Sequence, residues 1–245
     1  MQHNVDASIY AEMAALENHH WWFVARRSIL NKILAGLPLP ADAQILEAGC
    51  GTGGNLAMLA RYGQVHGMEA NAEAINLAMA KGVAEVRAGY LPNDIPFPEK
   101  SFDLIALFDV LEHLEEDAAA LRALRARLKP GGWLLVTVPA YPFLWGRHDE
   151  LHHHKRRYMA RGLRALTESA GYRVRYLSYF NTWLLPLIAV ARLARGSAKD
   201  GSAVPMPNKF LNALLTKIFA SERFFLGHIA FPAGVSLLMM ARNPE

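Results

Sequence analysis

The sequence has very little cysteine and few charged residues. Its 245 residues include one cysteine, Cys50, which excludes an intrachain disulfide and is typical of a reducing compartment. A single thiol also argues against a structural zinc module, although ten histidines are present. Charged residues make up 20% of the chain and hydrophobic residues 52%, so we predict a folded core rather than a disordered chain.

The sequence also lacks a recognisable membrane-targeting segment. The first 17 residues have no basic stretch followed by an apolar run, so we expect a cytoplasmic protein. Two apolar stretches, 183–194 and 224–241, are interrupted by Pro186 and by Pro232 with two glycines, and we interpret them as core or interfacial elements. A peripheral position at the inner membrane face stays open as an alternative.

Positive charge is concentrated in one part of the chain. The formal net charge is +4, but residues 147–195 carry ten Lys and Arg against three acids, a local excess of +7. This asymmetry predicts an anionic ligand or surface near the segment.

Short apolar runs alternate with helical patterns along most of the chain. We predict strands at 44–48, 64–68, 83–88, 102–108, 133–138, 172–180 and 235–241. We predict helices at 55–61, 73–81, 111–128, 161–170, 183–195 and 209–226. This alternation predicts an α/β protein with a doubly wound parallel sheet, whose ligands bind at the carboxyl ends of the strands.

A glycine-rich turn follows the first predicted strand. It satisfies the G-x-G-x-x-G pattern of dinucleotide-binding turns and reads Glu47-Ala48-Gly49-Cys50-Gly51-Thr52-Gly53-Gly54. Glu47 would repel a pyrophosphate and would suit a cationic group such as a sulfonium. Glu69, at the end of the next strand, could accept both hydroxyls of a ribose.

Further motifs follow in order: IPFPEKSFDLI at 95–105, LEHL at 111–114 and LKPGG at 128–132. With the glycine-rich turn, they resemble the class I S-adenosylmethionine-dependent methyltransferases over roughly residues 40–140. The resemblance implies S-adenosyl-L-methionine as cofactor, methyl transfer as activity, and a Rossmann-like sheet of seven strands with an antiparallel last strand.

Around this core we predict two additions. The expected parts are an N-terminal helical lid at 1–40, a cofactor-binding core at 41–181 and 233–245, and a helical insertion at 182–232. The stretch 209–226 is amphipathic and basic. It could lie on a membrane, cap an apolar substrate, form a homodimer interface or be buried in the core.

The resemblance also implies which residues surround the cofactor. They are Glu47, Gly49, Cys50, Gly51, Gly53, Glu69, Ala70, Asn71, Gly89, Tyr90, Phe108 and Asp109. One position departs from the pattern, because Tyr90 follows Gly89 where many members carry an acid that contacts the adenine. Tyr90 would either stack on the adenine or only pack the loop.

The chemistry needs an aligned nucleophile, and a base only if that nucleophile arrives protonated. The candidate catalytic residues are His113, Tyr141 and His148. For His113 the alternative is that it braces the loop together with Glu112. We expect no metal; the alternative is that Asp109, Glu112 and His113 share a helical face and bind a divalent ion, as a similar pattern does in ubiquinone-pathway O-methyltransferases.

Two segments are candidates for substrate binding. Trp22 and Arg26 would cover the cofactor and reach a carboxylate, unless their helix only packs on the sheet. The segment after the fifth strand would hold a carboxylate or phosphate, unless it is a solvated loop. Its candidates are His152, His153, His154, Arg156, Arg157 and Tyr158.

The leading hypothesis is therefore methyl transfer to an O or N atom of a small, anionic or lipid-linked molecule. The HWWF and HHxxRRY runs are similar to those of bacterial methyltransferases of surface-glycan and secondary pathways. The alternatives are an NAD(P)-dependent oxidoreductase using the same turn and a non-catalytic cofactor-binding module. Nucleic acid is a weaker candidate, because no base-stacking motif accompanies the basic segment.

Overall fold

The computed structural model describes residues 7–195 and 206–244, and its strands form a single seven-stranded sheet. The strands are β1 (Gln44–Ala48), β2 (Gln64–Glu69), β3 (Glu85–Ala88), β4 (Phe102–Phe108), β5 (Leu128–Pro139), β6 (Arg173–Phe180) and β7 (Ser236–Arg242). Their order is β3-β2-β1-β4-β5-β7-β6, with β1 to β5 parallel and β7 antiparallel to both of its neighbours. The predicted Rossmann-like fold class is confirmed.

Helices cover the sheet, and additional helices precede β1 and lie between β6 and β7. They are α1 (Ala7–Leu16), α2 (Trp21–Ala35), α3 (Leu56–Leu59), α4 (Ala72–Met79), α5 (Asp117–Arg127), α6 (Arg147–Leu151), α7 (Ala160–Ser169), α8 (Leu185–Arg195) and α9 (Lys209–Ala220). Asn71 begins α4, where its side chain accepts hydrogen bonds from the amides of Glu73 and Ala74 at 2.9 and 3.1 Å.

The core lies on both faces of the central strands β1, β4 and β5. Ile45, Leu104 and Leu135 are fully buried, as expected for parallel strands covered by helices on each side. The edge strand β3 buries only Val86. The continuous apolar runs in the sequence therefore mark the strands whose carboxyl ends border the candidate site.

One predicted helix is wrong in its first part. Residues Leu111–His113 form a 3₁₀ turn, and the α-helix begins only at Asp117. Asp109 lies outside this turn, with a φ of 55° in the left-handed region. The predicted strand at 133–138 also starts earlier, because Leu128 pairs with Phe102 and extends β5 through the LKPGG motif.

The predicted helices of the insertion are confirmed as α8 and α9, the latter followed by a 3₁₀ turn at Ser221–Phe224. Residues 196–205 between them lie outside the described part. α9 packs against α2. Across the described ranges, none of the helices has the length and apolar character needed to cross a bilayer.

Candidate active site

The glycine-rich turn opens the site at the carboxyl ends of β1 and β2. Gly49, Gly51 and Gly53 have φ values of 75°, 52° and 81°, which side chains disfavour. A Cβ atom on Gly49 would lie 2.5 Å from a methyl carbon of Val110, whereas one on Gly51 would meet nothing within 4 Å. The backbone at Gly51 therefore borders open space where ligands of such sheets bind. Cys50, between them, is buried, and burial raises the pKa of its thiol.

Glu69 is held rigidly against this turn by backbone amides. The Gly51 amide donates to its Oε2 at 2.9 Å, and the amides of Ala70 and Asn71 donate to its Oε1 at 2.8 and 3.0 Å. A carboxylate oxygen has two lone pairs, so acceptor capacity remains. Tyr10 of α1 lies close by: burial, and then the negative charge of Glu69, raise the pKa of Tyr10 to about 12.

Glu47 is almost completely buried, and only one of its two carboxylate oxygens has a hydrogen-bond partner. Asn55 donates to its Oε1 at 2.7 Å, while its Oε2 is buried without a hydrogen-bond partner. Burial raises the pKa of Glu47 to about 7, although Asn55 and the nearby Arg26 lower it. An unpartnered buried acceptor is costly, so this oxygen fits a ligand that brings an N–H donor or a cation.

Glu17 anchors the N-terminal helices beneath the same turn. Its Oε2 accepts a hydrogen bond from the Thr52 hydroxyl at 2.7 Å, and its Oε1 pairs with Lys81. A Cβ atom on Gly54 would lie 2.5 Å from Glu17 Oε2, so glycine permits this close approach. Sequence reasoning missed Glu17 and Tyr10, since neither lies in a recognisable motif.

Helix α2 brings predicted substrate residues onto predicted cofactor residues. Arg26 is buried, forms an ion pair with Asp109, and lies with its guanidinium carbon 4.4 Å from the Trp22 ring centroid. The same carbon is 6.0 Å from the Phe108 ring centroid. Because Arg26 Nε is buried without a hydrogen-bond partner, the guanidinium keeps a donor unused. These four side chains form one cluster at the end of β4.

Four histidines gather beside the end of β4. The rings of His113 and His154 are 4.6 Å apart, and those of His148 and His152 are 4.3 Å apart. The His148 and His154 rings are separated by 5.8 Å, which joins the two pairs. Burial, and then the neighbouring His154 and His152, lower the pKa of His113 to about 3. His113 is therefore neutral at pH 7.

Asp149 organises the segment after β5. It is fully buried, and His154 Nδ1 and Arg157 Nε lie 2.9 and 2.8 Å from its Oδ1, while the Gly146 amide donates to its Oδ2 at 2.9 Å. Burial alone would raise its pKa, but the hydrogen bonds from His154 and Arg157 hold the pKa of Asp149 below its usual range. Sequence reasoning missed Asp149, although an acid inside a basic run was an available signal.

The other predicted substrate residues of this segment differ in their surroundings. Arg156 and the Tyr158 hydroxyl both donate to Asp117 Oδ2, at 2.8 and 2.9 Å, and burial raises the pKa of Tyr158 above its usual value. His153 is exposed, with a φ of 54°. The solvated-loop alternative is wrong, because this segment contains α6 and the buried hydrogen bonds of Asp149.

Two predicted tyrosines make contacts of their own. Tyr141, with a φ of 58°, stacks on Tyr179 at 5.0 Å between ring centroids. Burial, and then its hydrogen bond with Tyr179, raise the pKa of Tyr141 to about 12. Tyr90 is 46% exposed, and its backbone exchanges two hydrogen bonds with Asp94. The Gly89 amide donates to the Glu69 carbonyl at 3.0 Å, which brings this loop beside β2.

One set of side chains in the described ranges could hold a metal ion. Glu112, His113 and His154 offer ligand atoms that all lie within 4.8 Å of one another. Glu112 is fully buried, neither carboxylate oxygen has a hydrogen-bond partner, and burial followed by the Asp109 charge raises its pKa well above the usual value. The trio differs from the predicted one because Asp109 pairs with Arg26 instead.

Comparison with known proteins bears on this site. Residues 19–177 match the family described as "Methyltransferase domain". A Mycolicibacterium smegmatis relative named for S-adenosylmethionine-dependent methyl transfer is 31% identical over 65% of this chain and 62% of its own length. Trans-aconitate 2-methyltransferase from Deinococcus radiodurans is 32% identical over 56% of this chain and 51% of its own. The chain thus spans only about half to three fifths of these relatives.

Solved structures agree on the fold. A methyltransferase in complex with the Haloferax volcanii Trm112 activator superposes with a TM-score of 0.66 at 17% identity, covering 99% of this chain and 97% of that one. Neither the oxidoreductase nor the non-catalytic module is favoured by these comparisons. The family match includes the glycine-rich turn, Glu69 and the histidines, and the chain therefore belongs to the class I S-adenosylmethionine-dependent methyltransferases.

Proposed function

We propose that this chain transfers a methyl group from S-adenosyl-L-methionine to an O or N atom of a small, anionic or lipid-linked molecule. The observation that carries the proposal is the pair of carboxylates at adjacent strand ends, Glu47 and Glu69, beside the open backbone of Gly51. The bound cofactor supplies an electrophilic methyl group on a positively charged sulfur. Such a cofactor suits an acidic pocket better than a pyrophosphate would.

Each carboxylate has a distinct role in this proposal. Glu47 offers its unpartnered oxygen to the cofactor's ammonium group, and Glu69 uses its remaining acceptor sites for the ribose hydroxyls. The other proposed cofactor residues border the same crevice: Gly49, Cys50, Gly51, Gly53, Ala70, Asn71, Gly89, Tyr90, Phe108 and Asp109. In the proposal, the described residues of 1–40 cover it as a lid, those of 41–181 and 233–245 form the core, and those of 182–232 select the acceptor.

The acceptor lies, in the proposal, between α2 and the segment after β5. Arg26 Nε is a buried donor without a partner, which suits an anionic acceptor group next to Trp22. The relative from Deinococcus radiodurans is named for trans-aconitate, itself an anionic small molecule. The exposed apolar residues of the insertion favour a lipid-linked acceptor, and we place the activity in the bacterial cytoplasm.

The candidate catalytic residues differ in what they can do with a proton. A pKa near 3 makes His113 a weak base. We therefore propose that His113 orients the molecule that receives the methyl group. Tyr141, with a pKa near 12, stays protonated and donates a hydrogen bond. His148 remains the candidate that takes up a proton. An amine that arrives unprotonated needs no base.

A metal-assisted form of the same reaction is a second candidate. The observation favouring it is the unpartnered carboxylate of Glu112 beside His113 and His154. One carboxylate and two imidazoles suit a divalent transition metal, which would lower the pKa of a hydroxyl acceptor. Melting curves with Mg²⁺, Mn²⁺ or Zn²⁺, with and without chelator, test this; curves that coincide would leave only the metal-free reaction.

Calorimetric titration tests the proposed function directly. S-adenosyl-L-methionine should bind with one site per chain, and NADH should not bind. Transfer of labelled methyl groups is then measured to carboxylates including trans-aconitate, to amines, and to an extract of bacterial lipids. Binding of NADH alone would overturn the cofactor assignment, and transfer confined to proteins or RNA would overturn the acceptor class.

A further inference from the structure

The insertion exposes large apolar side chains that a folded chain normally buries. Leu187 and Val190 of α8 are 60 and 64% exposed, and Trp183, just before this helix, is 47% exposed. Phe210 and Leu214 of α9 are 80 and 43% exposed. Leu211, which is 41% exposed, lies between them on the same side of this helix, and we call the surface formed by Phe210, Leu211 and Leu214 the insertion face. Apolar groups clustered in this way mark a surface that contacts another body.

The helix that carries this face is joined to the start of α2. The amide of Trp21 donates to Asn212 Oδ1 at 2.9 Å, and Asn212 Nδ2 donates to the His19 carbonyl at 2.8 Å. Asn212 therefore ties the exposed start of α9 to the start of α2, which carries Trp22 and Arg26. A molecule held on the insertion face would lie next to the proposed acceptor position.

The insertion is also basic, beside the basic segment that precedes it. Residues 182–232 contain six Lys and Arg and two acids, a net charge of +4. The other 194 residues carry twenty positive and twenty negative charges, so they add nothing to the net charge of the chain. One of the two acids, Glu222, is fully buried and accepts hydrogen bonds from the amides of residues 181–183. Glu222 therefore adds no exposed negative charge to this surface.

We propose that the insertion face docks on the surface of a bilayer containing anionic phospholipid. Exposed apolar residues interspersed with Lys209 and Lys217 match the composition of elements that lie in the interface of such membranes. A second copy of this chain is a poorer occupant, because it would bring two insertions of +4 together. The proposal deepens the lipid-linked acceptor of the proposed function, since the docked surface adjoins the site.

Vesicle sedimentation tests the docking. The full chain is mixed with vesicles of phosphatidylcholine alone or with added phosphatidylglycerol. We expect binding to the anionic vesicles that weakens as salt rises. The double variant Phe210→Ser/Leu214→Ser should lose about tenfold or more in partitioning, because two apolar side chains no longer enter the interface. Lys209→Gln/Lys217→Gln should reduce binding only to anionic vesicles.

Matched controls keep the result specific. Met79→Ser removes an apolar side chain that is 54% exposed on α4, and Arg122→Gln removes an exposed charge on α5; both should bind vesicles like the parent chain. The docking would be overturned if the chain sedimented equally with and without anionic lipid. It would also be overturned if light scattering found a dimer that the double serine variant dissociates into monomers. Titration of S-adenosyl-L-methionine into the same variants tests the proposed function separately, since docking and cofactor binding can fail independently.

Discussion

At the scale of single residues, the two carboxylates at the ends of β1 and β2 have different surroundings. Glu69 accepts hydrogen bonds from three backbone amides and is fixed in place by them. Glu47 is buried, which disfavours its charged form, although the hydrogen bond from Asn55 acts in the opposite direction. Glu69 is therefore placed to accept hydrogen bonds from neutral hydroxyls. The charged form of Glu47 becomes favourable when a cation binds beside it.

Glu69→Gln should weaken the binding of S-adenosylhomocysteine. The amide replaces one acceptor oxygen with a donor, which opposes the backbone N–H groups and removes a ribose contact. We expect the Kd to rise by about 10- to 100-fold, measured by calorimetry. Glu99→Gln, at an acid whose side chain is 70% exposed, is the control. An unchanged Kd in a folded Glu69→Gln protein would remove the ribose role.

Glu47→Gln should change how stability depends on pH. The pKa of Glu47 rises from 4.5 to about 7 on folding, so the folded chain holds a proton that the unfolded chain releases. This contribution is complete below pH 4.5 and is lost as the pH rises towards 7. Relative to Glu47→Gln, the parent should therefore lose about 3 kcal/mol of unfolding free energy across that window.

Urea unfolding at several pH values measures this difference. Glu168→Gln, at an acid whose side chain is 48% exposed, should show no such trend against the parent. A difference between Glu47→Gln and the parent that stays constant from pH 4.5 to 7.5 would mean that Glu47 is charged in the folded chain.

At the scale of elements, Glu222 connects the insertion to the sheet. It follows α9 in sequence, yet both of its carboxylate oxygens accept amides from residues 181–183, immediately after β6. The start of α8 and the end of α9 are thereby held together, and Arg223 donates to Ser28 of α2 at 2.7 Å. The insertion is joined to the core at this point. The end of α8 and the start of α9 are the parts of these helices that are farther from Glu222 in sequence.

Glu222→Gln should loosen this junction. The amide nitrogen would face backbone N–H donors, so we expect a loss of about 2–3 kcal/mol in unfolding free energy. Amide hydrogen exchange should accelerate first in residues 181–188 and 218–226. Glu116→Gln, at an exposed acid, is the control. Exchange that increases evenly over the whole sheet would contradict a local role.

At the scale of the whole molecule, the candidate site joins segments that are far apart in sequence. Residues of α1, α2, the turn after β1, the end of β4 and the segment after β5 all contribute side chains. A ligand bound there contacts several elements at once and should stabilise the chain as a unit.

S-adenosylhomocysteine at 100 times its Kd should therefore add about 2.7 kcal/mol to the free energy of unfolding. For a chain of this size we expect the melting temperature to rise by about 5–10 °C, measured by scanning calorimetry. NADH at the same concentration should leave the melting temperature unchanged. A larger rise with NADH would contradict the cofactor assignment.

The predictions from sequence were best where the physical cause is local. The strands at 44–48 and 102–108 were predicted to the residue, because buried parallel strands need continuous apolar side chains. The helix at 111–128 was predicted too long, because the periodic pattern did not reveal that Asp109 takes a left-handed conformation and pairs with Arg26. The roles predicted for the site residues stay predictions.

The sequence alone determined the sheet, its glycine-rich turn and the family, since strand burial and positive φ angles depend on residue type at each position. Only the tertiary structure decided the partners: Glu17 beneath Gly54, Arg26 with Asp109, and His154 beside Glu112 rather than in solvent. The physical reason is distance in three dimensions. Several acids and bases in the chain could pair with one another, and only packing brings particular atoms within hydrogen-bond range and excludes water from them.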